Sequence, residues 1–137
     1  MKIKEVLFGS SPDSNPGTLI LRVFIGAAMM SHGFPKMFGG LSGFTEFVAS
    51  IGVPAPQVMA FLAAFSESFG ALLLLLGLLT RPASFFIACT MAVAALGAHG
   101  ADGFDAQEKA WLYFVPALFF LLKGAGKWSL DALISKK

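Results

Sequence analysis

The chain has 137 residues, 56% of them hydrophobic and only 13% charged, with a formal net charge of +2. Ordinary soluble domains carry about 25% charged residues, so this composition excludes one and points to a single domain embedded in a membrane. The small positive charge sits at the ends of apolar segments and offers no basic patch for nucleic acid, while a lone cysteine excludes an intramolecular disulfide or a C-x-x-C couple.

Residues 1–17 are polar and broken by Pro12, Asp13, Asn15, Pro16 and Gly17. They read as a cytoplasmic tail with a short amphipathic turn at Ile3 to Phe8. No small-x-small cleavage site follows the first apolar stretch, so an uncleaved span is expected there. That span covers about 18–38. Arg22, Gly26, Met29, Gly33 and Lys36 share one face, and its glycines make it an inward face. Pro35 is expected to kink or end the helix. Arg22, near the cytoplasmic end, is expected to reach lipid phosphates.

Residues 39–56 are rich in glycine and proline. Within them Phe44, Phe47, Val48 and Ile51 oppose Thr45, Glu46 and Ser50, which predicts a short helix lying in the membrane interface. The second span, about 56–79, is long enough to cross, since about 20 apolar residues suffice. Glu67 lies near its middle. A carboxylate at that depth costs roughly 2.5–3.5 kcal/mol on insertion scales, so it turns toward protein or water. Ala60, Ala63, Glu67, Gly70, Leu74 and Gly77 fall on one mostly small stripe, which points Glu67 into a bundle.

Thr80-Arg81-Pro82 makes a tight turn into a third span, about 82–99, whose Ala88, Ala92 and Ala95 direct His99 inward. Cys89 reads as a packing residue. After a polar loop, a fourth span covers about 106–123 and contains Pro116. Its eighteen or so residues make roughly 27 Å, enough to cross. The tail returns to the surface at Trp128. Eight basic residues, Lys2, Lys4, Arg22, Arg81, Lys123, Lys127, Lys136 and Lys137, fall on one side, and Lys36 and Lys109 on the other. That bias predicts both termini in the cytoplasm. The expected fold is all-α: an integral membrane four-helix bundle with an interfacial helix between spans one and two.

By depth, His32, Lys36, Glu67, His99 and Glu108 gather in the outer half of that bundle. Such clusters are where bundles build ligand sites. Each residue also has a plain structural reading: Glu67 as the pair of a histidine or serine, Glu108 as a capping box with Asp105, Lys36 as a snorkelling side chain. Three chemistries suit the residue types. A metal site lacks any H-x-x-E or H-x-x-x-H spacing. Two histidines on different spans could ligate a haem. Histidine and glutamate beside phenylalanine-rich walls could hydrogen-bond a quinone and exchange protons with it.

Arg22-x-x-x-Gly26 with His32-Gly33-x-x-Lys36-x-Phe38-Gly39 resembles the first-span signature of the DoxX family. Gly52-x-Pro54-x-Pro56, Glu67-x-x-Gly70 and Leu76-Gly77-Leu78-x-Thr80-Arg81 resemble its second span. His99, Glu108 and Gly124-x-Gly126-x-Trp128-Ser129-x-Asp131 resemble its later landmarks. The resemblance implies a small four-helix protein of the bacterial or archaeal cytoplasmic membrane. The family takes its name from a subunit associated with thiosulfate:quinone oxidoreductase, and relatives are linked to redox and oxidative-stress complexes. Its fold would be similar to that of the vitamin K epoxide reductases, whose paired cysteines this chain lacks.

The expected function is therefore a redox-associated membrane subunit binding a quinone or quinol. Glu67, His32 and His99 are the candidate catalytic residues, and Lys36, Glu108 and Arg22 the candidate ligand contacts. Quinone suits these residues better than haem or metal. Expected partners are the lipid bilayer and a membrane or peripheral redox protein, with self-association open. The rival readings are a non-catalytic accessory subunit and a small-molecule or proton pathway through Glu67.

Overall fold

The computed structural model describes residues 2–9 and 12–136, and all its regular structure is helical. Lys137, counted above among the basic residues, lies outside that range. In chain order the helices are α1 (Ile3–Phe8), α2 (Pro16–Met37), α3 (Leu41–Ser50), α4 (Pro56–Leu76), α5 (Thr80–Ala98), α6 (Phe104–Lys123) and α7 (Leu130–Ser135). Helices α2, α4 and α5 are long and apolar enough to cross a membrane. Helix α6 has the length, 20 residues, but carries Asp105, Glu108 and Lys109 in its first two turns. Large apolar side chains on the outside, such as Phe24, Phe86, Leu112 and Leu122, suit a lipid surround rather than water.

Local chemistry sets the helix ends. The Asn15 side chain accepts from the Gly17 N–H at 2.8 Å and Pro16 takes the first helical position, a favoured start for α2. Pro35 does not end that helix. It runs on to Met37, where the Phe38 N–H donates to the Phe34 carbonyl. Helix α4 stops at Gly77, whose φ of 66° permits the left-handed turn in which the Leu78 N–H reaches the Leu73 carbonyl. Leu79 follows at φ 49°, an uncommon value for a residue with a Cβ. Asp131 of α7 holds it there, accepting from the Leu79 and Thr80 N–H groups at 2.8 and 2.9 Å.

Glycines set how closely α2 and α4 approach. A Cβ on Gly26 would lie 2.8 Å from Leu75 Cβ and 3.0 Å from the Ala71 carbonyl oxygen. One on Gly33 would overlap the backbone of Glu67 and Ser68. Helices α5 and α6 pack together on the other side, and Met29, Leu74, Ile87 and Phe120 fill the space between the pairs.

One end of the bundle is tied shut. Helices α1 and α7 meet there beside the start of α5, so both described chain ends lie at the same end. Arg22 is buried rather than reaching toward lipid phosphates, which corrects the sequence expectation. Its guanidinium donates to the carbonyl oxygens of Ala125 and Trp128, and at 3.4 Å to that of Leu75. The glycine-broken turn at 124–126 leaves carbonyls outside any helix, and a planar fork of donors suits several at once. Nor is the segment before α2 a loose tail. Asp13 accepts from Lys123 Nζ at 2.7 Å and Thr18 Oγ1 at 2.6 Å, and the Lys127 N–H donates to its carbonyl.

Two outcomes follow from this packing. Gly33→Ala should lower thermal stability in detergent by about 1–3 kcal/mol or prevent assembly, because the added methyl meets backbone that cannot rotate away. Unchanged melting would contradict the close crossing. The second concerns Asp13, whose carboxyl is held at about 2, below its ordinary 3.8, first by the Lys123 hydrogen bond and then by Thr18 and the Asn15 N–H. A depressed carboxylate stabilises the fold above its unfolded pKa and stops doing so as pH falls through the folded value. The stability difference between wild type and Asp13→Asn should therefore persist down to about pH 3.8 and close toward about 2. A pH-independent difference in melting temperature would refute that role.

Candidate functional site

The other end of the bundle is built differently. With no side chain at Gly33, α2 rests directly on the Glu67–Ser68 backbone, and Lys36 falls about one turn further along the same face. Its ammonium lies 2.6 Å from Glu67 Oε2. Glu67 is 3% exposed, and the lysine also sits 4.8 Å from the centre of the Phe44 ring on α3. Cation and carboxylate thus meet where three helices converge.

Glu67 itself lies in a π-helical turn, Ser66–Gly70, inside α4. Such a turn inserts one extra residue and is frequent at functional sites. Ser66 Oγ donates to the Leu62 carbonyl at 2.7 Å and Ser68 Oγ to that of Ala64 at 2.6 Å, serving carbonyls near the widened turn. Ala60, Ala64, Glu67, Ala71 and Leu74 form the buried stripe of α4, so Ala64 rather than Ala63 lies on it. A second π-turn, Ala94–Ala98, ends α5 and delivers His99 beside the pair.

Two cavities meet at Lys36 and Glu67. The first, about 210 Å³, lies among α2, α4, α5 and α6, and His32, His99, Lys109 and Tyr113 give it a polar lining with Met29 and Met91. The second, about 350 Å³, lies among α3, α4 and α5 and is mainly apolar. Lys36, Glu67, Ala94 and His99 line both, so the ion pair stands in the shared wall. Helix α6 brings Ala106, Lys109, Ala110 and Tyr113 to the polar cavity, one helical face at i, i+3, i+4 and i+7. Tyr113 meets His32 edge to face with ring centres 6.1 Å apart.

Much polar capacity here is unused. Among the described residues the only hydrogen bond to the Glu67 carboxylate comes from Lys36, through one oxygen. Among the described residues, too, His32 and the Tyr113 hydroxyl make no protein hydrogen bond and Lys109 makes no ion pair. His99 is committed on one side, with Nδ1 3.2 Å from Asp102 Oδ2, while its carbonyl accepts from Gln107 Nε2 at 2.9 Å. The arrangement can donate to and accept from a ligand on adjacent atoms.

Of the residues singled out in the sequence, Glu67, His32, His99 and Lys36 come together. Glu108 does not join them. It is exposed on α6 and absent from both cavity linings, and Gly103 rather than Asp105 precedes that helix with no side-chain cap. Arg22 belongs to the closed end, fourteen residues or about 21 Å along α2 from Lys36. Cys89 is exposed and lines the apolar cavity, not the packed core expected for it. Lys109 and Tyr113 were missed, although their i, i+4 spacing after Ala106 was there to be read. No group of three histidine, cysteine, aspartate or glutamate side chains converges among the described residues.

Comparison with known proteins gives a consistent placement. Inner membrane protein YphA of Escherichia coli is 39% identical over 82 residues, a match covering 59% of this chain and 58% of YphA. A Bacillus subtilis protein named "Putative oxidoreductase CatD" is 32% identical over 121 residues, 88% of each chain. The uncharacterized membrane protein Rv3486 of Mycobacterium tuberculosis is 32% identical across 89% of this chain and 83% of its own. No solved structure matches. The DoxX family profile matches residues 17–100, which carry α2 to α5 and with them both halves of the Lys36–Glu67 pair, and the chain belongs to the DoxX family of membrane proteins.

Proposed function

We propose that this protein is a redox-associated membrane subunit that binds a quinone or quinol headgroup at the Lys36–Glu67 pair. The observation that carries this reading is the buried carboxylate that has one hydrogen bond among the described residues and stands between a polar and an apolar cavity. A cavity of about 150 Å³ already accepts benzene, so the polar one has room for a substituted ring. With the second cavity the space falls within the ordinary range of small-molecule sites, about 300–1,000 Å³.

The pair suits both redox states of such a ring. Lys36 can donate to a quinone carbonyl, and Glu67 can accept from a quinol hydroxyl and take up its proton. His32 and Tyr113, with their own hydrogen-bonding capacity unspent, orient the ring's far oxygen. The relative named as an oxidoreductase agrees with this chemistry without specifying it. We assign the protein four crossings, α2, α4, α5 and α6, in a bacterial cytoplasmic membrane with both termini in the cytoplasm. The cavity end then lies toward the outer face.

The ligand assignment is tested by substituting Glu67. Glu67→Gln should leave expression and assembly near wild type, since an amide oxygen still accepts from Lys36, but remove proton-coupled quinol binding. Glu67→Leu should reduce assembly, because the part-buried ammonium loses its partner at a cost of roughly 1–3 kcal/mol. Quinone extracted from each purified protein, together with yield, decides between readings. If Glu67→Gln retains full quinol binding with unchanged pH dependence, the pair is structural and the accessory-subunit reading replaces this one.

Orientation has its own check. A cytoplasm-active reporter joined after Lys137 should be active and a periplasm-active one silent, as the basic bias requires. The reverse pattern would overturn the assignment.

A further inference from the structure

We infer that the apolar cavity among α3, α4 and α5 is the groove for an isoprenoid tail, entered sideways from the bilayer. This rests on the headgroup reading above and extends it to the class of ligand, a prenylated quinone rather than a small soluble one.

Three features of the cavity carry the inference. Its walls are Phe44, Phe47, Met59, Leu62, Phe86 and Val93, and its charged side chains, Lys36 and Glu67, are the ones it shares with the polar cavity. A molecule filling both spaces would have an apolar stem ending at an ion pair. Next, the groove opens on the flank of the bundle. Phe47, Leu62, Phe86 and Val93 are between 43% and 51% exposed on helices that include two long enough to span a membrane. The mouth therefore faces lipid tails, the medium in which a prenylated quinone is dissolved. Last, charge selects among lipids. Lys36 and Glu67 cancel at 2.6 Å, so the inner end of the groove presents a neutral pair. A neutral ring fits against that pair, whereas a phospholipid phosphate has to compete with Glu67 for a Lys36 that is already engaged.

Cys89 supplies a native reporter, being the chain's one cysteine, exposed, and part of the groove wall. The experiment measures alkylation of Cys89 by N-ethylmaleimide in the full chain reconstituted in nanodiscs of zwitterionic lipid. Two probes share one fully substituted, thiol-inert head: dimethylnaphthoquinone, without a tail, and menaquinone with two isoprene units. Their affinities are measured in parallel by equilibrium dialysis. The prenylated probe should slow alkylation several-fold and, with partition into empty nanodiscs of the same lipid subtracted, bind several-fold tighter than dimethylnaphthoquinone. Dimethylnaphthoquinone should bind without protecting Cys89. Leu62→Trp, which fills the groove from its rim, should abolish the tail preference while leaving binding of the tail-less probe unchanged.

Equal affinity of the two probes, with no protection by either, overturns the tail groove and leaves the headgroup site standing. Absence of binding by both overturns the two proposals together. If anionic phospholipid added to the nanodiscs protects Cys89 as well as the prenylated probe does, the groove is a lipid site and the inference fails. Wild-type protection and affinity are read without any variant, so a folding defect in Leu62→Trp does not rescue the proposal.

Discussion

The structure depends on the contact between Gly33 and the backbone of Glu67 and Ser68. Any larger residue at that point on α2 would push α4 away, since a Cβ would overlap the Glu67 carbonyl. Because the helices touch there, the residue about one turn further along α2 reaches the carboxylate directly, and Lys36 lies 2.6 Å from Glu67. Gly26 repeats the close approach two turns away, against Ala71 and Leu75. Small residues at a crossing let helices pack in an environment where water supplies no drive for their association. Here they also bring the two charges of the site within hydrogen-bonding distance.

The bundle treats buried charge in two contrasting ways. At the closed end, Arg22 and Asp131 are satisfied by backbone: carbonyls of Leu75, Ala125 and Trp128 for the guanidinium, N–H groups of Leu79 and Thr80 for the carboxylate. Those bonds fasten the α4–α5 turn to the last helix, and neither residue lines either of the two cavities at the open end. At the open end Lys36 and Glu67 satisfy each other through a single contact, with cavities on two sides. The first arrangement uses up donors and acceptors to hold chain segments in place. The second leaves them for something else.

Much of this was legible in the sequence, for reasons that also mark where legibility ended. Apolar runs and their breaks located the long helices, and the glycines beside Arg22 and His32 marked the inner face of α2. The charge of Glu67 in an apolar run required an inward direction. Its partner was not foreseen, because pairing depends on the register between two helices, and the periodicity of one helix carries no such register. The π-turns were not foreseen either, since the inserted residue leaves no compositional sign. Arg22 was misread because its partners are carbonyls that only the folded 124–126 turn presents. Cys89 was misread because an apolar run alone does not show that a side chain borders the cavity among α3, α4 and α5.

A buried ion pair is weak ground for a claim about stability. Taking two charges from water costs several kcal/mol per ion, and apolar residues of similar volume often serve as well or better. The pair here has a further disadvantage, since Glu67 accepts one hydrogen bond where a carboxylate has room for several. A purely structural pair would be expected to close those vacancies with neighbouring donors, as Asp131 does with two backbone N–H groups. His32 and Tyr113 are close enough to line the same cavity, yet neither hydrogen-bonds the carboxylate. Their rings meet each other instead. Apart from the Lys36–Glu67 contact, the fold thus holds donors and acceptors around one cavity without letting them satisfy one another. That arrangement is costly for the protein alone, and the proposed quinone headgroup, with an oxygen atom at each end of its ring, would complete it.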